Sequence, residues 1–278
     1  MQADACRPAA ARVPTVLLVL CALVAAGPMP GPPAARAGAP AFGPGVFIVV
    51  TVDAGTWAPY EYGSAFFFNA EGDAYTASHV VSQAVTHADL RLVAIVDGVE
   101  YIARAVCWNP ASPDGTNTYN RDVAVIHVGP EVPLFPIGSY PPADRRLAAL
   151  PLAVRRGSAP VAGRAVWIAG FGGRRAGPVF VPRTQRGRVM RVEPLPDGTV
   201  VARIQFPLDA APADGDSGGP ILDAQRAVVG MADWRRTHPL TPGTAELDGV
   251  AAASLGCVAR VPPERNRLDP SNTPLRMP

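Results

Sequence analysis

The chain has 278 residues, 48% of them hydrophobic, with a formal net charge of +2, and all 25 of its basic side chains are arginine. This length and apolar content can support one large domain or two small ones that share a core. Without residues 1–37 the remainder is neutral, so its scattered arginines give no electrostatic reason to expect nucleic-acid binding.

The N-terminus is predicted to be an export signal. Arg7 and Arg12 precede an apolar run at 13–26 that is too short to span a bilayer comfortably. Small residues offer cleavage sites after Ala26 or Ala37. Cleavage would make the protein secreted or periplasmic, whereas an uncleaved signal would be its one means of membrane attachment.

The chain then alternates between short apolar runs and turns. Residues 38–45 are rich in Pro, Gly and Ala and are predicted to be a spacer. Asp97-Gly98 is a typical hairpin turn, and the Pro-rich segment 129–160 is predicted to connect two sets of strands. Many short strands with frequent turns favour an all-β fold over βαβ units. The predicted strands cover 47–52, 63–68, 90–96, 100–106 and 121–128, then 165–172, 186–192, 199–206, 219–222 and 227–234.

The strongest motif is the run Asp-Gly-Asp-Ser-Gly-Gly-Pro from Asp214 to Pro220. A serine among glycines can occupy a tight turn, because glycine adopts positive φ at little steric cost. Such a turn presents a hydroxyl nucleophile and lets the N–H groups of Gly215 and Ser217 point at one developing oxyanion, as acyl transfer requires. A bare Gly-x-Ser-x-Gly would be a weaker signal, because α/β-hydrolases also carry it.

Residues 215–220 resemble the active-serine motif of the chymotrypsin (trypsin-like) serine proteases. The run Thr-Ala-Ser-His ending at His79 and the run Asp-Val-Ala-Val beginning at Asp122 are similar to that family's other two motifs, in the same order. The resemblance implies that Ser217 is the nucleophile, His79 the general base and Asp122 the residue that orients the imidazole. It also assigns the oxyanion hole to the N–H groups of Gly215 and Ser217.

The resemblance covers about residues 46–258 and implies two antiparallel six-stranded β-barrels with the active site between them. Residues 63–68 and 72–80 look like the bacterial exported Htr-type proteases, although the chain is expected to lack their PDZ domain. A polypeptide substrate is implied, and no cofactor or metal. The predicted organisation is a signal peptide at 1–37, a spacer at 38–45, a peptidase domain at 46–261 with barrels at about 46–135 and 160–258, and a disordered tail at 262–278.

Two pairings between distant residues bear on activation and stability. In zymogen-derived relatives the carboxylate before the serine pairs with a new N-terminus, Ile-Val-Gly-Gly, and this chain contains no such tetrapeptide. Because a buried unpaired carboxylate is costly, we expect an internal partner for Asp216, either Arg183 or Arg186, and no need for proteolytic activation. Cys107 and Cys257 can form a disulfide in an oxidising compartment, which the sequence leaves open.

The resemblance also points to substrate-binding residues. Ala211 stands six positions before Ser217, where trypsin has its acidic pocket base, which disfavours cleavage after Arg or Lys. Asp233-Trp234-Arg235 stands where the family normally has Ser-Trp-Gly. Trp234 is either a pocket wall or an ordinary core aromatic, and Arg235 would narrow the pocket or favour an acidic group. We expect small or apolar P1 residues.

The favoured function is therefore a secreted or periplasmic serine endopeptidase that works through a triad and an acyl-enzyme. The alternative is a catalytically silent relative that binds a peptide or protein, which the full set of three side chains disfavours. An α/β-hydrolase esterase is a third reading, disfavoured because the histidine precedes the serine and strands do not alternate with helices. The oligomeric state is left open.

Overall fold

Runs of β-branched and aromatic residues form most strands of this protein, because such side chains pack well on pleated surfaces. Within the described ranges, no helix combines the length and the apolar character needed to cross a bilayer. The predicted export signal, most of the spacer, much of the Pro-rich connection and the tail from residue 263 lie outside the described residues. The computed structural model describes residues 45–110, 122–129, 147, 149–173, 175–176, 179–236 and 242–262.

The described chain contains two sets of strands. The first set includes one α-helix and consists of β1 Val46–Asp53, β2 Pro59–Phe67, β3 Asp73–Thr76, α1 Ser78–Thr86, β4 Leu90–Val96, β5 Val99–Trp108 and β6 Ala124–Val128. The second set consists of β7 Ala165–Gly170, β8 Arg175–Ala176, β9 Val179–Phe180, β10 Arg183–Pro194, β11 Val200–Pro207, β12 Pro220–Leu222, β13 Val228–Arg236, β14 Thr244–Ala251 and β15 Ala259–Arg260. Short 3-10 helices cover Leu208–Ala210 and Ala252–Ser254.

Strands β1 to β6 close into an antiparallel barrel. The order is β1-β2-β3-β6-β5-β4, and β4 pairs back with β1. Apolar side chains fill the interior, and Phe47, Phe66 and Ile126 are fully buried there. Asp97 and Gly98 take positive φ of 51° and 75° between β4 and β5. This confirms the predicted hairpin turn, since two-residue turns of this kind match the twist of the strands.

A second antiparallel barrel follows in the chain, with the order β10-β11-β14-β13-β12-β7. Ile168, Ile204 and Phe206 lie in its core. Strands β8 and β9 form a separate two-stranded sheet, and β15 returns to pair with β5 of the first barrel. The predicted fold class, two six-stranded antiparallel barrels of the chymotrypsin-like type, is confirmed.

The sequence predicted neither α1 nor β14. Helix α1 carries Val80, Val81 and Val85, whose branched side chains favour strands, but all three are buried against the first barrel. Strand β14 contains Glu246 and Asp248, which interrupt its apolar pattern. Both acidic residues are nevertheless buried, at 2% and 6% exposure. In both elements the tertiary contacts override the local pattern.

The C-terminal part of the described chain is tied to the first barrel. Cys107 of β5 and Cys257 form a disulfide, with Cα atoms 5.7 Å apart. Arg260 of β15 stands opposite Cys107, and the Val261 N–H donates to the Val106 carbonyl at 3.0 Å. The sequence did not decide whether this disulfide forms. In the structure it closes a loop of 150 residues that includes the whole second barrel.

Replacing both cysteines by alanine is expected to lower the free energy of unfolding by about 2–5 kcal/mol, because a long loop is no longer closed in the unfolded state. Urea unfolding of the double variant and of the wild type, each with and without reductant, measures the effect. Reductant should destabilise the wild type by a similar amount and leave the variant unchanged. Equal stabilities of the oxidised wild type and the variant would contradict this assignment.

Candidate active site

His79 and Asp122 come together although 43 residues separate them in the chain. His79 is the second residue of α1, directly after β3, and Asp122 lies just before β6. The His79 N–H donates to Asp122 Oδ1 at 2.8 Å, and His79 Nδ1 is hydrogen-bonded to Asp122 Oδ2. Asp122 is 9% exposed and the His79 side chain 31%. Two contacts between the same residues hold the imidazole in one orientation.

Ser78 joins the two segments that carry His79 and Asp122. Its buried hydroxyl donates to the Val123 carbonyl at 2.7 Å and accepts the Asn109 N–H at 3.0 Å. The Asn109 side chain then donates to the Gly256 carbonyl and accepts the Val258 N–H, both at 2.8 Å. Sequence reasoning missed this role of Ser78. The signal was the serine itself, since the resembling family has alanine at this position of the motif.

Ser217 lies on the turn that precedes β12 in the second barrel. Its Oγ donates to the main-chain carbonyl of Asp233 at 3.0 Å, and its own carbonyl accepts the Ser64 N–H of β2 at 2.8 Å. The Asp233 carboxyl lies with His79 and Asp122, one ligand-type atom of each being within 4.8 Å of the others. The structure thus places Ser217 against the main-chain carbonyl of Asp233 and the other two predicted triad residues beside its carboxyl.

The peptide between Asp214 and Gly215 has a defined orientation. The Asp214 carbonyl accepts the Gly173 N–H at 3.2 Å and the Tyr62 hydroxyl at 3.4 Å. In a trans peptide the C=O and N–H groups point in opposite directions, so the Gly215 N–H points away from both donors. The Gly215 carbonyl in turn accepts the Ser64 hydroxyl at 2.6 Å. Sequence reasoning had no pattern that marks Ser64.

The Ser217 N–H is oriented in the same way. The Asp216 carbonyl accepts the Gly219 N–H at 2.9 Å, so the N–H of the same peptide points in the opposite direction. Among the described residues, the N–H groups of Gly215 and Ser217 donate to no acceptor. Two unused main-chain donors on one turn beside a serine hydroxyl can stabilise a developing oxyanion.

Gly215 is required by both its conformation and its surroundings. Its φ is +97°, and a Cβ atom there would lie 2.4 Å from Cε2 of Tyr62. The aromatic ring therefore lies directly against the turn. A side chain at this position would have to displace the ring and strain the backbone, and the Gly215 N–H would move with it.

The carboxylate of Asp216 is 1% exposed and fully partnered. Arg183 Nη2 forms an ion pair with its Oδ2 at 2.5 Å, and Gln185 Nε2 donates to the same oxygen at 3.0 Å. The N–H groups of Ala213 and Gly172 donate to Oδ2 and Oδ1 at 2.9 and 2.8 Å. The expectation of an internal partner is confirmed with Arg183. The other candidate, Arg186, lies over the Trp167 ring instead, 5.7 Å from its centroid.

The imidazole and three carboxyls near it have shifted pKa values. Burial opposes protonation of His79, but its hydrogen bond to Asp122 and the charges of Asp122 and Glu61 outweigh burial and raise the pKa of His79. Burial also opposes ionisation of Asp122, yet the hydrogen bond and charge of His79 lower the pKa of Asp122. Burial and then the charge of Asp122 raise the pKa of Asp233 well above its usual value. Burial raises the pKa of Glu61.

The predicted substrate-binding residues are spread over two segments. Ala211 packs against the core of the second barrel, and its carbonyl accepts Arg183 Nη2 at 3.2 Å. Trp234 and Arg235 lie on β13, but their side chains are outside the described part of the structure. The side chain of Asp233 is 3% exposed and lies beside His79 and Asp122.

The cluster of His79, Asp122 and Asp233 also contains ligand types that bind divalent cations. The hydrogen bond between His79 Nδ1 and Asp122 Oδ2 already uses two of these potential ligand atoms. An imidazole hydrogen-bonded to a carboxylate is the arrangement that activates a neighbouring hydroxyl, which suits acyl transfer.

Comparisons with known proteins identify the family and the fold. A family profile described as a trypsin-like peptidase domain matches residues 63–231. Among solved structures, the chain is similar to the Rv3671c protease from M. tuberculosis in its active form, with 17% identity, 79% of this chain and 84% of that chain covered, and a TM-score of 0.50. An inactive serine-to-alanine mutant of the same protein gives 16% identity, 76% and 83% coverage, and a TM-score of 0.50.

A third similar structure is the HtrA-type protease AlgW with a tripeptide, at 20% identity and a TM-score of 0.50. The match covers 75% of this chain and 56% of that one. Identities this low show a shared fold and nothing finer. A comparison with curated proteins finds no match.

Replacing Arg183 by alanine is expected to lower the free energy of unfolding by about 3–5 kcal/mol, because Asp216 would remain as a buried charge without a cation. Urea unfolding measures the change. Replacing Asp216 by asparagine as well should restore part of the loss, since it removes the buried charge.

The matched control is Arg186→Ala on the same strand, where an exposed arginine lies over an aromatic ring and a change below about 1 kcal/mol is expected. If Arg183→Ala unfolds like Arg186→Ala, the ion pair is not what keeps Asp216 buried.

Proposed function

Since the chain belongs to the trypsin-like peptidase family, we propose that it is a serine endopeptidase that hydrolyses polypeptides through an acyl-enzyme. One observation carries the proposal. Ser217, His79 and Asp122 converge around Asp233, beside two main-chain N–H groups without acceptors among the described residues. A nucleophile, a base, an orienting carboxylate and an oxyanion site are the groups that this reaction requires.

The proposed reaction begins with attack of Ser217 Oγ on the scissile carbonyl carbon. Nδ1 of His79 is engaged by Asp122, so Nε2 is the nitrogen that accepts the serine proton. The Gly215 and Ser217 N–H groups donate to the oxyanion of the tetrahedral intermediate. The protonated imidazole then gives its proton to the leaving amine, and the C–N bond breaks to leave the acyl-enzyme. Water, deprotonated by the same imidazole, then attacks the acyl carbon; the bond to Ser217 Oγ breaks, Oγ takes the proton back from the imidazolium, and the acid product leaves.

Asp122 stabilises the imidazolium during both steps. It is buried, and it accepts hydrogen bonds from the main chain and the ring of His79. Arg183 supplies the internal cation for Asp216, so we propose that the turn carrying Ser217 forms without proteolytic activation. We assign substrate binding to the strand that carries Trp234 and Arg235 and to Ala211, with small or apolar P1 residues preferred.

We also propose that the protein acts outside the cytoplasm. A signal at 1–37, cleaved after Ala26 or Ala37, would be followed by the spacer at 38–45 and a peptidase domain at 46–261, with a disordered tail beyond it. The Cys107–Cys257 disulfide supports this location, because such bonds persist mainly in oxidising compartments.

A fluorophosphonate probe is expected to label the wild type and not Ser217→Ala, because only an activated serine hydroxyl attacks it. Gel fluorescence or intact-protein mass measures the labelling. The control is Ser158→Ala, since Ser158 lies on the connection between the barrels and, among the described residues, is hydrogen-bonded to Arg155 and Ala253 and to no residue of the site. If the probe ignores the folded wild type, the catalytically silent binding module becomes the better description.

The labelling rate is expected to rise with pH through a midpoint above the usual histidine value of about 6.5. The base must be neutral to accept the Ser217 proton, and the surrounding carboxylates favour the charged form of His79. Asp122→Asn removes one of these negative charges, so the midpoint should move to lower pH. The rate should fall by about 10⁴-fold, because the imidazole is no longer held in the productive tautomer. A midpoint unchanged in Asp122→Asn would contradict the pairing.

A further inference from the structure

Asp233 has a side chain that the proposed mechanism does not use. It lies at an irregularity of β13, where Ala232 pairs with Gly249 and Trp234 with Asp248, so that Asp233 has no partner on β14. Bulges of this kind turn a side chain in a direction that a regular strand would not give it. Here the carboxyl is 3% exposed and lies beside His79 and Asp122 of the other barrel.

The same residue contacts the other barrel and the nucleophile at once. Its main-chain carbonyl accepts the Ser217 hydroxyl at 3.0 Å, and its buried carboxyl lies within 4.8 Å of the Asp122 carboxylate. Both Asp122 oxygens already accept hydrogen bonds from His79, one from the main chain and one from the ring. A carboxylate can accept more than two hydrogen bonds, so Asp233 adds a third donor without replacing the others.

Two buried carboxyls in contact cannot both be ionised, since like charges repel strongly in a water-poor site. Asp122 is the one that keeps the charge, because His79 donates to both of its oxygens. Glu61 also faces His79 and adds negative charge on the side of the first barrel. A hydrogen bond between these two neighbouring carboxyls therefore requires a proton on Asp233.

The second barrel favours the same protonation state. Asp248 lies on β14, next to β13, and its negative charge also acts on Asp233. Asp248 is itself buried and forms an ion pair with the buried Arg203 at 3.3 Å. The ion pairs of the described residues include none between Asp233 and an arginine. Burial and neighbouring negative charge both raise the pKa of Asp233.

We propose that Asp233 is a positioning residue, a neutral carboxylic acid that donates a hydrogen bond to the Asp122 carboxylate and thereby holds the imidazole for catalysis. The catalytic part of this inference rests on the proposed peptidase function, whereas the protonation state does not. A serine, which the resembling family has at this position, would donate at any pH. A carboxylic acid donates only while protonated, so this chain makes its triad sensitive to alkaline pH.

The protonation state is tested without catalysis by infrared spectroscopy of the full chain carrying ¹³C-labelled aspartate. At neutral pH the wild type and Ser217→Ala are both expected to show the carbonyl stretch of a protonated carboxylic acid, and Asp233→Asn is expected to lack it. If the band is missing from the folded wild type, or persists in Asp233→Asn, the proposal is wrong whether or not the protein is a peptidase.

The positioning role is tested by the fluorophosphonate labelling rate at neutral pH. Asp233→Ala removes the donor and should slow labelling by about 10- to 100-fold, the usual effect of losing one charge-assisted hydrogen bond. Asp233→Asn and Asp233→Ser keep a donor and should label within a few-fold of the wild type. Equal rates for Asp233→Ala and the wild type would overturn the role, as would equally slow labelling by all three variants.

The pH dependence distinguishes this role from a merely structural one. In the wild type, the infrared band and the labelling rate should be lost together as the pH rises, while Asp233→Asn keeps its rate over the same range. An alkaline loss that Asp233→Asn shares would assign the sensitivity to another group. If no variant and no wild type is labelled but the band is present, the peptidase function fails and the carboxyl pair stands.

Discussion

The turn that carries Ser217 depends on one interaction, the ion pair between the buried carboxylate of Asp216 and Arg183. A charge with 1% exposure is stable only when it is paired and hydrogen-bonded, and every partner of this one comes from a different point on the second barrel. The cation comes from β10, and main-chain donors come from Gly172 and Ala213. The contacts that stabilise the Asp216 charge thus hold the turn that carries Ser217 in place.

The first barrel joins the segments that carry His79 and Asp122 through uncharged contacts. Ser78 joins the start of α1 to the end of β5 and the start of β6, and Asn109 extends that network to the C-terminal segment. The Cys107–Cys257 disulfide closes the same region. The chain therefore passes through the second barrel and returns to the first, so that the placement of His79 is tied to the segment that follows the second barrel. Because the two barrels meet at the site, small shifts of either would separate the reacting groups.

Where the barrels meet, one residue of the second barrel contacts both. Asp233 holds the Ser217 hydroxyl with its main chain and lies against Asp122 with its side chain. A carboxyl at this place gives the site an acidic group that must stay neutral beside one that must stay charged. Environments that separate the pKa values of two carboxyls are a common device for giving them different roles. In this protein the separation comes from burial and from the two hydrogen bonds that His79 gives to one carboxyl only.

The sequence by itself indicated an all-β fold and the need for a partner to Asp216, because short apolar runs between turns and a charge that cannot be buried alone are local features. The two-barrel architecture and the three candidate triad positions came from its resemblance to the trypsin-like proteases, whose motifs it carries in the same order. The sequence patterns predicted neither α1 nor β14, because the residues of these elements favour other structures in isolation. Only the tertiary structure decided which arginine pairs with Asp216 and where the Asp233 side chain lies. Those outcomes depend on which distant segments meet, and side-chain direction at a strand irregularity is set by pairing across the sheet, which no local pattern records.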